Sequence, residues 1–347
     1  MPIHPSQKSS LAKFRMQIAR FQLTGYVEAM CTRFIWSSDG SPGQGHVLVA
    51  RGMDWYEETS TVLAIRPRGA VRESRPGDAA SFTWTSRYGS VVSLMYGKLV
   101  ADGMNEVGLQ SSGLYLAESD YGERDARRPA IDLYVVIQYM LDNFSTVAEA
   151  VKWLTESDVQ IVPLNIGGRP GTGHISLADA SGDSAIIEYL GGELSLHHGP
   201  QFSVMTNSPP YDEQLELERR YAGLGGVAPL PGGHDSRDRF ARAAFYTAQL
   251  PATDDRRLAT AQVLSVLRNA AIPYGVGDIA QPNGATTRWR TVSDLKNGRY
   301  YFESTLSPNV VWVDFDKVSF EPGPELVLDA ETPDLAGEQS RAFMPVA

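Results

Sequence analysis

The sequence holds a single cysteine, Cys31, whose thiol is the first candidate for chemistry. A lone cysteine is often a small buried hydrophobe, but its thiolate is also a strong nucleophile. Cys31 stands where a basic, poorly patterned segment ends and a run of β-branched and aromatic residues begins. Further along, the apolar segment 47–55 contains Arg51 and Asp54. Charged side chains within an apolar strand need partners or a function, so these three residues form the first candidate site.

Two histidines leave one other arrangement open for the thiol. His46 or His174 would act as the base of a papain-like pair, although neither lies in a motif that supports this role. No two histidines have the HExxH spacing of a zinc site, and one cysteine excludes both a disulfide framework and a zinc site built on several thiolates. The glycine-rich runs at 167–173 and 223–233 lack the Gly-Lys-Ser/Thr ending of a phosphate-binding loop. We therefore predict an activity without a metal or cofactor.

Composition and charge narrow the classes of partner. The 347 residues are 42% hydrophobic and 21% charged, which is the balance of a soluble globular protein. A formal net charge of −10 without a long basic run argues against nucleic acid or an anionic membrane surface as partner. No stretch approaches the roughly 18 uninterrupted apolar residues that a transmembrane helix needs. We expect a cytoplasmic protein, or a periplasmic one if residues 1–30 direct export.

The elements that must position the candidate residues follow from periodicity and turn residues. Short strands are predicted over 32–36, 47–55, 61–65, 89–96, 98–102, 107–115, 173–178, 184–189, 288–294, 299–304 and 309–314, with a turn at 103–106. Helices are predicted over 132–143, 146–154, 215–221, 237–249 and 258–270. Thr146 and Glu149 have the spacing of a capping box. Strands that follow one another favour antiparallel pairing, so the chain predicts two sheets with helical layers outside, an α+β fold in one domain.

Short motifs along the chain then resemble one family. They are Cys-Thr-Arg-Phe at 31–34, Ala-Arg-Gly-Met-Asp-Trp at 50–55, Ala-Asp-Gly-Met-Asn-Glu-Val-Gly-Leu at 101–109, Gly-Leu-Tyr at 113–115, Met-Thr-Asn-Ser-Pro at 205–209, Leu-Pro-Gly at 230–232 and Ser-Arg-Asp-Arg-Phe at 236–240. In this order, with the only cysteine at their head, they resemble the choloylglycine hydrolases. These are N-terminal-nucleophile hydrolases that include penicillin V acylases and bile salt hydrolases. The details at 31–34 and 53–55 are more similar to acylases of Gram-negative type.

The resemblance implies a fold, a reaction and an assembly. It covers roughly residues 31–320, so residues 1–30 become a leader or propeptide and residues 321–347 an irregular tail. The implied fold is a four-layer αββα sandwich, and the implied reaction is hydrolysis of a linear amide C–N bond in a small molecule. Penicillin V, conjugated bile salts and N-acyl homoserine lactones are the implied substrates, and a homotetramer is the implied assembly.

The resemblance also assigns roles to residues. Cys31 is the nucleophile and its own α-amine the base, Asp54 orients that amine, and Arg51 favours the thiolate. Asn207 donates its amide to the oxyanion, and Tyr115 lines the oxyanion hole, where some members have asparagine. Arg239 pairs with acidic groups. Trp55 and Trp84 line an acyl pocket. Arg51 and Asp54 are three residues apart, which in a regular strand sets them on opposite faces. We expect Gly52 to permit a bulge that turns both inward.

This chemistry requires Cys31 to become the first residue of the chain. An α-amine has a pKa of about 7.7–8.0 and can accept the thiol proton, whereas an internal cysteine has no such amine. The leader can be removed by autocatalysis or by another protease. Alternatively, translation can start at Met30, since an initiator methionine is trimmed before a small residue. In the rival interpretation the chain is a non-catalytic relative that binds an acyl ligand and keeps Cys31 internal.

Overall fold

The computed structural model of the protein describes residues 30–38, 45–75, 78, 80–166, 169–221, 229–275 and 285–346. Over these residues the strands are β1 (Met30–Ser37), β2 (Val47–Trp55), β3 (Val62–Arg66), β4 (Val71–Glu73), β5 (Thr83–Thr85), β6 (Ser90–Met95), β7 (Leu99–Asn105), β8 (Gln110–Leu114), β9 (Ala130–Asp132), β10 (Gln160–Val162), β11 (Leu164–Ile166), β12 (Arg169–Gly171), β13 (His174–Ala178), β14 (Ser184–Leu190), β15 (Glu193–His198), β16 (Val204–Met205), β17 (Thr286–Asp294), β18 (Arg299–Ser304), β19 (Val311–Asp314), β20 (Leu326–Asp329), β21 (Gly337–Glu338) and β22 (Met344–Pro345). The helices are α1 (Leu133–Asn143), α2 (Val147–Glu156), α3 (Tyr211–Tyr221), α4 (Ser236–Gln249) and α5 (Arg256–Asn269).

Two large sheets form the centre of the molecule. One has seven strands in the order β16-β1-β2-β17-β18-β19-β21, and the other has nine in the order β15-β14-β13-β8-β7-β6-β3-β20-β22. Helices α4 and α5 pack on β1, β2 and β17, whereas α1 packs on β7 and β8 and α2 on β14. The result is the predicted four-layer αββα sandwich. β2 is buried over nearly all its length because helices cover one of its faces and the second sheet covers the other.

Most predicted elements are present, and the turn after β7 shows how a local signal was misplaced. The sequence predicts a turn at 103–106, but β7 continues to Asn105 and the chain turns at Glu106–Gly108. The Asn105 side chain closes this turn by accepting from the amides of Val107 and Leu109. Gly108 has φ +90°, and a Cβ there would lie 2.5 Å from the Leu295 carbonyl oxygen, so the turn requires glycine at this position.

The predicted capping box stands at the start of α2, with its glutamate bonded most strongly to Ser145. Thr146 Oγ1 accepts a hydrogen bond from the Glu149 amide at 3.2 Å, as predicted. The Glu149 carboxylate accepts from the Ser145 amide at 2.8 Å, and backbone hydrogen bonds from Ser145 and, more weakly, from Thr146 lower its pKa. The helix therefore starts where the motif places it, with the glutamate bonded mainly to the residue before the cap.

The segment after residue 320 is not an irregular tail. β20 pairs with β3 and extends the nine-stranded sheet, because Leu326, Val327 and Leu328 pack at this edge. Arg66 on β3 also pairs with Glu325 at 3.1 Å. The prolines, glycines and acidic residues around this short strand obscured its signal in the sequence. Residues 1–29, on which the leader prediction rests, lie outside the described residues.

Candidate active site

Cys31 lies near the start of β1, an inner strand of the seven-stranded sheet, and is only 2% exposed. Its backbone pairs with Met53 on β2, and its Sγ lies 3.8 Å from Met53 Sδ and 3.7 Å from Nη2 of Arg51. Burial raises the pKa of the Cys31 thiol, and the charge of Arg51 is the largest effect opposing this rise. The thiol therefore needs a base to become a nucleophile at neutral pH.

Arg51 approaches the sulfur from the space between the two sheets. Its Nη2 also donates to the Gly113 carbonyl on β8 at 3.2 Å. The guanidinium lies over the indole of Trp289, 4.5 Å from the ring centroid, which is within the range of a cation–π interaction. Within the described part of the chain, its Nε and Nη1 have no hydrogen-bond partner. This placement supports the prediction that Arg51 lies beside the thiol.

Arg51 and Asp54 lie on opposite faces of β2. β1 and β2 pair in an unbroken register, so the bulge expected at Gly52 does not form. A Cβ on Gly52 would lie 3.6 Å from Leu267 of α5, which places the even-numbered side chains of β2 on the helical face. The two charges therefore flank Cys31 from opposite sides of the sheet instead of pointing together.

Asp54 is held on the helical side by an ion pair and a hydrogen bond. Its Oδ2 lies 3.6 Å from Nη1 of Arg239, and its Oδ1 accepts a hydrogen bond from the Thr287 hydroxyl. Burial raises the pKa of the Asp54 carboxyl, and the Arg239 charge is the largest effect in the other direction, followed by the Thr287 hydrogen bond. The charge of Arg239 and the hydrogen bond from Thr287 favour the ionised carboxylate.

Arg239, in the first turns of α4, joins the parts of the site. Its Nη1 donates to the Cys31 carbonyl and, at 2.7 Å, to Thr32 Oγ1. Its Nη2 donates to Asn207 Oδ1 at 2.9 Å, and its Nε donates to the His234 carbonyl at 2.9 Å. Burial lowers the pKa of this guanidinium, and Asp54 is the largest opposing effect. Every nitrogen has a partner, so the side chain is a rigid connector.

The Asn207 side chain meets Cys31 at its backbone nitrogen. Its Oδ1 accepts from the Cys31 N–H and from Arg239, while its Nδ2 donates to the Tyr115 carbonyl at 2.7 Å. Because both partners of Oδ1 are donors and the partner of Nδ2 is an acceptor, the amide orientation is determined. An amide nitrogen carries two protons, and within the described residues the Tyr115 carbonyl takes one proton of Nδ2.

The backbone of Asn207 is fixed as firmly as its side chain. Its N–H donates to Ser236 Oγ at 2.9 Å, and its carbonyl accepts from Gln214 Nε2. Ser236 is the first residue of α4, and Gln214 lies in α3. Two helices therefore hold the turn that carries the asparagine, which is the condition for an oxyanion donor that does not reorganise during reaction.

The two tryptophans have different surroundings. Trp55 follows Asp54 on β2, is partly buried, and donates its Nε1 to the Tyr96 hydroxyl at 2.7 Å. Trp84 lies on β5, donates its Nε1 to Asp142 Oδ2 at 2.7 Å, and packs on the Tyr139 ring at a centroid distance of 5.1 Å. Trp84 belongs to the cluster around α1 and α2, not to the cluster that contains the thiol. The structure places it in this second cluster rather than at the thiol, on a strand that pairs with β4 in a separate two-stranded sheet.

We predict that Trp84→Phe destabilises the protein without changing its chemistry. The buried Asp142 carboxylate loses one donor but keeps Arg72 and Gln138, so we expect the free energy of unfolding to fall by about 1–3 kcal/mol. Urea denaturation measures this loss, and kcat and KM for amide hydrolysis measure the chemistry. A raised KM with unchanged stability would instead indicate that Trp84 lines the substrate pocket.

Several residues around the site carry no sequence motif. Tyr134 of α1 lies close enough to Cys31, Arg51 and Tyr115 that each affects its pKa, which burial raises to about 12. The sequence does not single out Tyr134, because it lies in a helix whose apolar residues already have the 3–4 spacing of a packed face. The others that sequence reasoning missed are Thr287, Trp289 and Gln214. All are long-range contacts, for which a single sequence holds no local signal.

The two histidines of the papain-like alternative are engaged away from the sulfur. His174 is bonded to Glu188 Oε1 and to the Thr206 carbonyl, both at 2.9 Å. His46 is bonded to the Asp254 carbonyl and to Asn297 Nδ2, both at 3.0 Å. These bonds occupy both ring nitrogens of each histidine, so the geometry favours a base other than histidine.

Comparisons with known proteins identify similar chains. The model of the linear amide C–N hydrolases, choloylglycine hydrolase family, matches residues 31–329. The chain is 40% identical over 330 residues to a penicillin V acylase of Pectobacterium atrosepticum, covering 88% of this chain and 86% of that protein. It is 24% identical over 244 residues to a bile salt hydrolase/transferase of Clostridium perfringens, covering 64% of this chain and 74% of that protein. The solved structure of penicillin V acylase from Agrobacterium tumefaciens matches with a TM-score of 0.83 at 41% identity, covering 91% of this chain and 98% of that one.

Proposed function

The chain belongs to the choloylglycine hydrolase family of linear amide C–N hydrolases, and from this premise we propose that Cys31 is its nucleophile once it heads the mature chain. One observation carries the proposal. Arg51 reaches the sulfur of Cys31, Asn207 reaches its nitrogen, and Arg239 reaches its carbonyl oxygen. Buried backbone N–H and C=O groups have partners in any fold. At Cys31, however, polar side chains contact both of them and a guanidinium contacts the sulfur, which is an arrangement suited to orienting a nucleophile.

The base is the α-amine that cleavage before Cys31 creates. Burial raises the pKa of the thiol, so the proton must be accepted by a neighbouring group. In the continuous chain the nitrogen is a peptide N–H that donates to Asn207, and an amide nitrogen is not basic. As a free amine the same atom would keep Asn207 as acceptor and have the Asp54 carboxylate nearby as counter-charge. The leader, residues 1–30 in this proposal, therefore keeps the enzyme inactive while it is attached.

Each proton and bond in the cycle then has a defined place. The amine takes the thiol proton, the sulfur attacks the substrate carbonyl carbon, and the second Nδ2 proton of Asn207 stabilises the oxyanion beside Tyr115. The amine returns its proton to the leaving nitrogen as the C–N bond breaks and a thioester forms. Water, deprotonated by the amine, hydrolyses that thioester and regenerates the thiol.

Penicillin V is the substrate we propose first. The relatives named penicillin V acylase are 40% and 41% identical to this chain, whereas the bile salt hydrolase relative named above is 24% identical. Conjugated bile salts and N-acyl homoserine lactones are the next substrates to test. We also propose a homotetramer that works in the cytoplasm, or in the periplasm if residues 1–30 direct export. Light scattering with size-exclusion chromatography tests the assembly.

We predict that activity depends on a free amine at Cys31. A chain translated from Met30 will lose that methionine and begin at Cys31, and we expect it to hydrolyse penicillin V. A matched chain with one glycine inserted between Met30 and Cys31 will begin with glycine, and we expect at least about 100-fold lower kcat/KM because its thiol has no adjacent amine. Intact mass establishes both starts, and a fluorescamine assay follows the amine released.

The comparison separates the two interpretations. Equal activity of the two chains would reject the amine as base. Binding of penicillin V without turnover by the Cys31 chain would support the rival, a non-catalytic relative that binds acyl ligands. Turnover of a bile salt or a homoserine lactone but not of penicillin V would keep the mechanism and change the substrate.

A further inference from the structure

An irregularity in β17 lies directly opposite the two charged residues of β2. β17 pairs antiparallel with β2, with Thr287 opposite Asp54 and Trp289 opposite Met53, so that Arg288 is an extra residue in the ladder. Such a bulge changes the face to which the following side chains point. Without it, Thr287 and Trp289 would share one face of the sheet. With it, Thr287 lies on the face of Asp54 while Trp289 lies under Arg51.

Backbone contacts fix the direction in which the Thr287 hydroxyl donates. The Ile272 N–H donates to Thr287 Oγ1 at 2.8 Å, and the Thr287 N–H donates to the Ile272 carbonyl at 3.1 Å. Since the hydroxyl oxygen already accepts a proton from Ile272, its own proton points to Asp54 Oδ1. Thr287 is 1% exposed, so water does not replace this bond.

We propose that Thr287 is a positioning residue of the active site, which holds the Asp54 carboxylate ionised and aimed at the nitrogen of Cys31. This inference rests on the proposed role of Asp54 and deepens it. Arg239 contacts the other carboxylate oxygen at 3.6 Å, a distance typical of an ion pair but long for a hydrogen bond. Thr287 thus supplies the short, directional contact, and the bulge at Arg288 places it.

The pH dependence of activity is the readout that separates this role from simple packing. The charged and titratable groups that affect Asp54 are Arg239 on α4, Arg51 on β2, Arg290 on β17 and Cys31 on β1. Among uncharged groups, Thr287 lowers the pKa of the carboxyl by donating to it. Removing this donor makes the carboxylate easier to protonate. Activity that needs ionised Asp54 is then lost at a higher pH as the solution is acidified.

The test compares Thr287→Val, which keeps the shape and removes the hydroxyl, with Thr287→Ser, which keeps the hydroxyl. We expect the acid limb of kcat/KM against pH to move upward by about one pH unit in the valine variant and to return in the serine variant. Thr260→Val is the matched control. Its buried hydroxyl donates to the Tyr301 hydroxyl at 3.3 Å, so we expect the acid limb to stay unchanged.

Asp54→Asn distinguishes failure of this inference from failure of the proposed function. If Asp54→Asn is inactive but Thr287→Val keeps the wild-type profile, Thr287 has no positioning role, and Asp54 keeps its own. If Asp54→Asn is fully active, both assignments are overturned. Should Thr287→Val show no cooperative unfolding, Thr287→Ala tests the same shift, again with Thr287→Ser as the rescue.

Discussion

Replacing Cys31 by serine is expected to lower kcat/KM for amide hydrolysis by at least about 1,000-fold, the scale of losing a nucleophile. A serine hydroxyl ionises far less readily than a thiol, and the positive charge of Arg51, 3.7 Å from Sγ, does not close that gap. The side chains are similar in size, so we expect the fold to persist. Initial rates on penicillin V with the chain that begins at residue 31 measure the effect.

Chemical labelling provides a control that does not depend on a substrate. Cys31 is the only cysteine, so iodoacetamide modifies one thiol in the wild type and none in Cys31→Ser. We expect the rate of alkylation to rise when the amine at residue 31 is free, because that amine can accept the thiol proton. A serine variant with full activity and an unchanged melting temperature would remove Cys31 from the mechanism.

Replacing Arg239 by methionine is expected to produce the second large effect, on both stability and activity. Arg239 is fully buried, and its removal leaves the buried Asp54 carboxylate without its ion-pair partner. Loss of one member of a buried ion pair costs about 3–5 kcal/mol of the free energy of unfolding. The Cys31 carbonyl and Asn207 Oδ1 also lose a donor, so we expect kcat to fall at least about 100-fold.

Arg237→Met is the matched control for this prediction. Arg237 lies on the same helix two residues earlier and is exposed, so its replacement should change the unfolding free energy by less than about 0.5 kcal/mol. Urea unfolding and steady-state kinetics are measured for both variants. Equal behaviour of the two would mean that Arg239 is an ordinary helix charge, contrary to its contacts.

The two charged residues of β2 lie in different layers of the sandwich. Arg51 lies between the sheets, where the Trp289 ring and the Gly113 carbonyl hold it against the sulfur. Asp54 lies between the sheet and its helices, where Arg239 holds it. This separation keeps the positive charge of Arg51 available to the thiol, because a direct ion pair with Asp54 would neutralise the Arg51 charge.

The sequence by itself determined the family, the nucleophile candidate and most of the long elements. The motifs that carry these residues are local patterns, and each can be recognised within one short stretch of chain. They are the motif at 31–34, the pair Arg51 and Asp54, and the segments around Asn207 and Arg239. Runs of apolar and aromatic residues placed β2 and β18 with the bounds that the structure has, and helical patterns placed α1 and α5 to within two residues. The structure places four residues that the motifs supplied in or next to the polar contacts of Cys31, namely Arg51, Asp54, Asn207 and Arg239.

Only the tertiary structure decided which partners those residues meet. The extra residue in β17, Arg288, is defined by pairing with a strand more than two hundred positions away. No local pattern in the sequence therefore predicts this bulge or the donor Thr287. The same holds for β20, a short strand that is defined by its pairing with β3 on one side and β22 on the other. Trp84 was misplaced for a related reason: a tryptophan in a strand buries its ring on whatever neighbour the fold supplies, and here that neighbour is Tyr139 of α1. A short segment of sequence shows which residue types are present, but the contacts that they make depend on how distant strands pair.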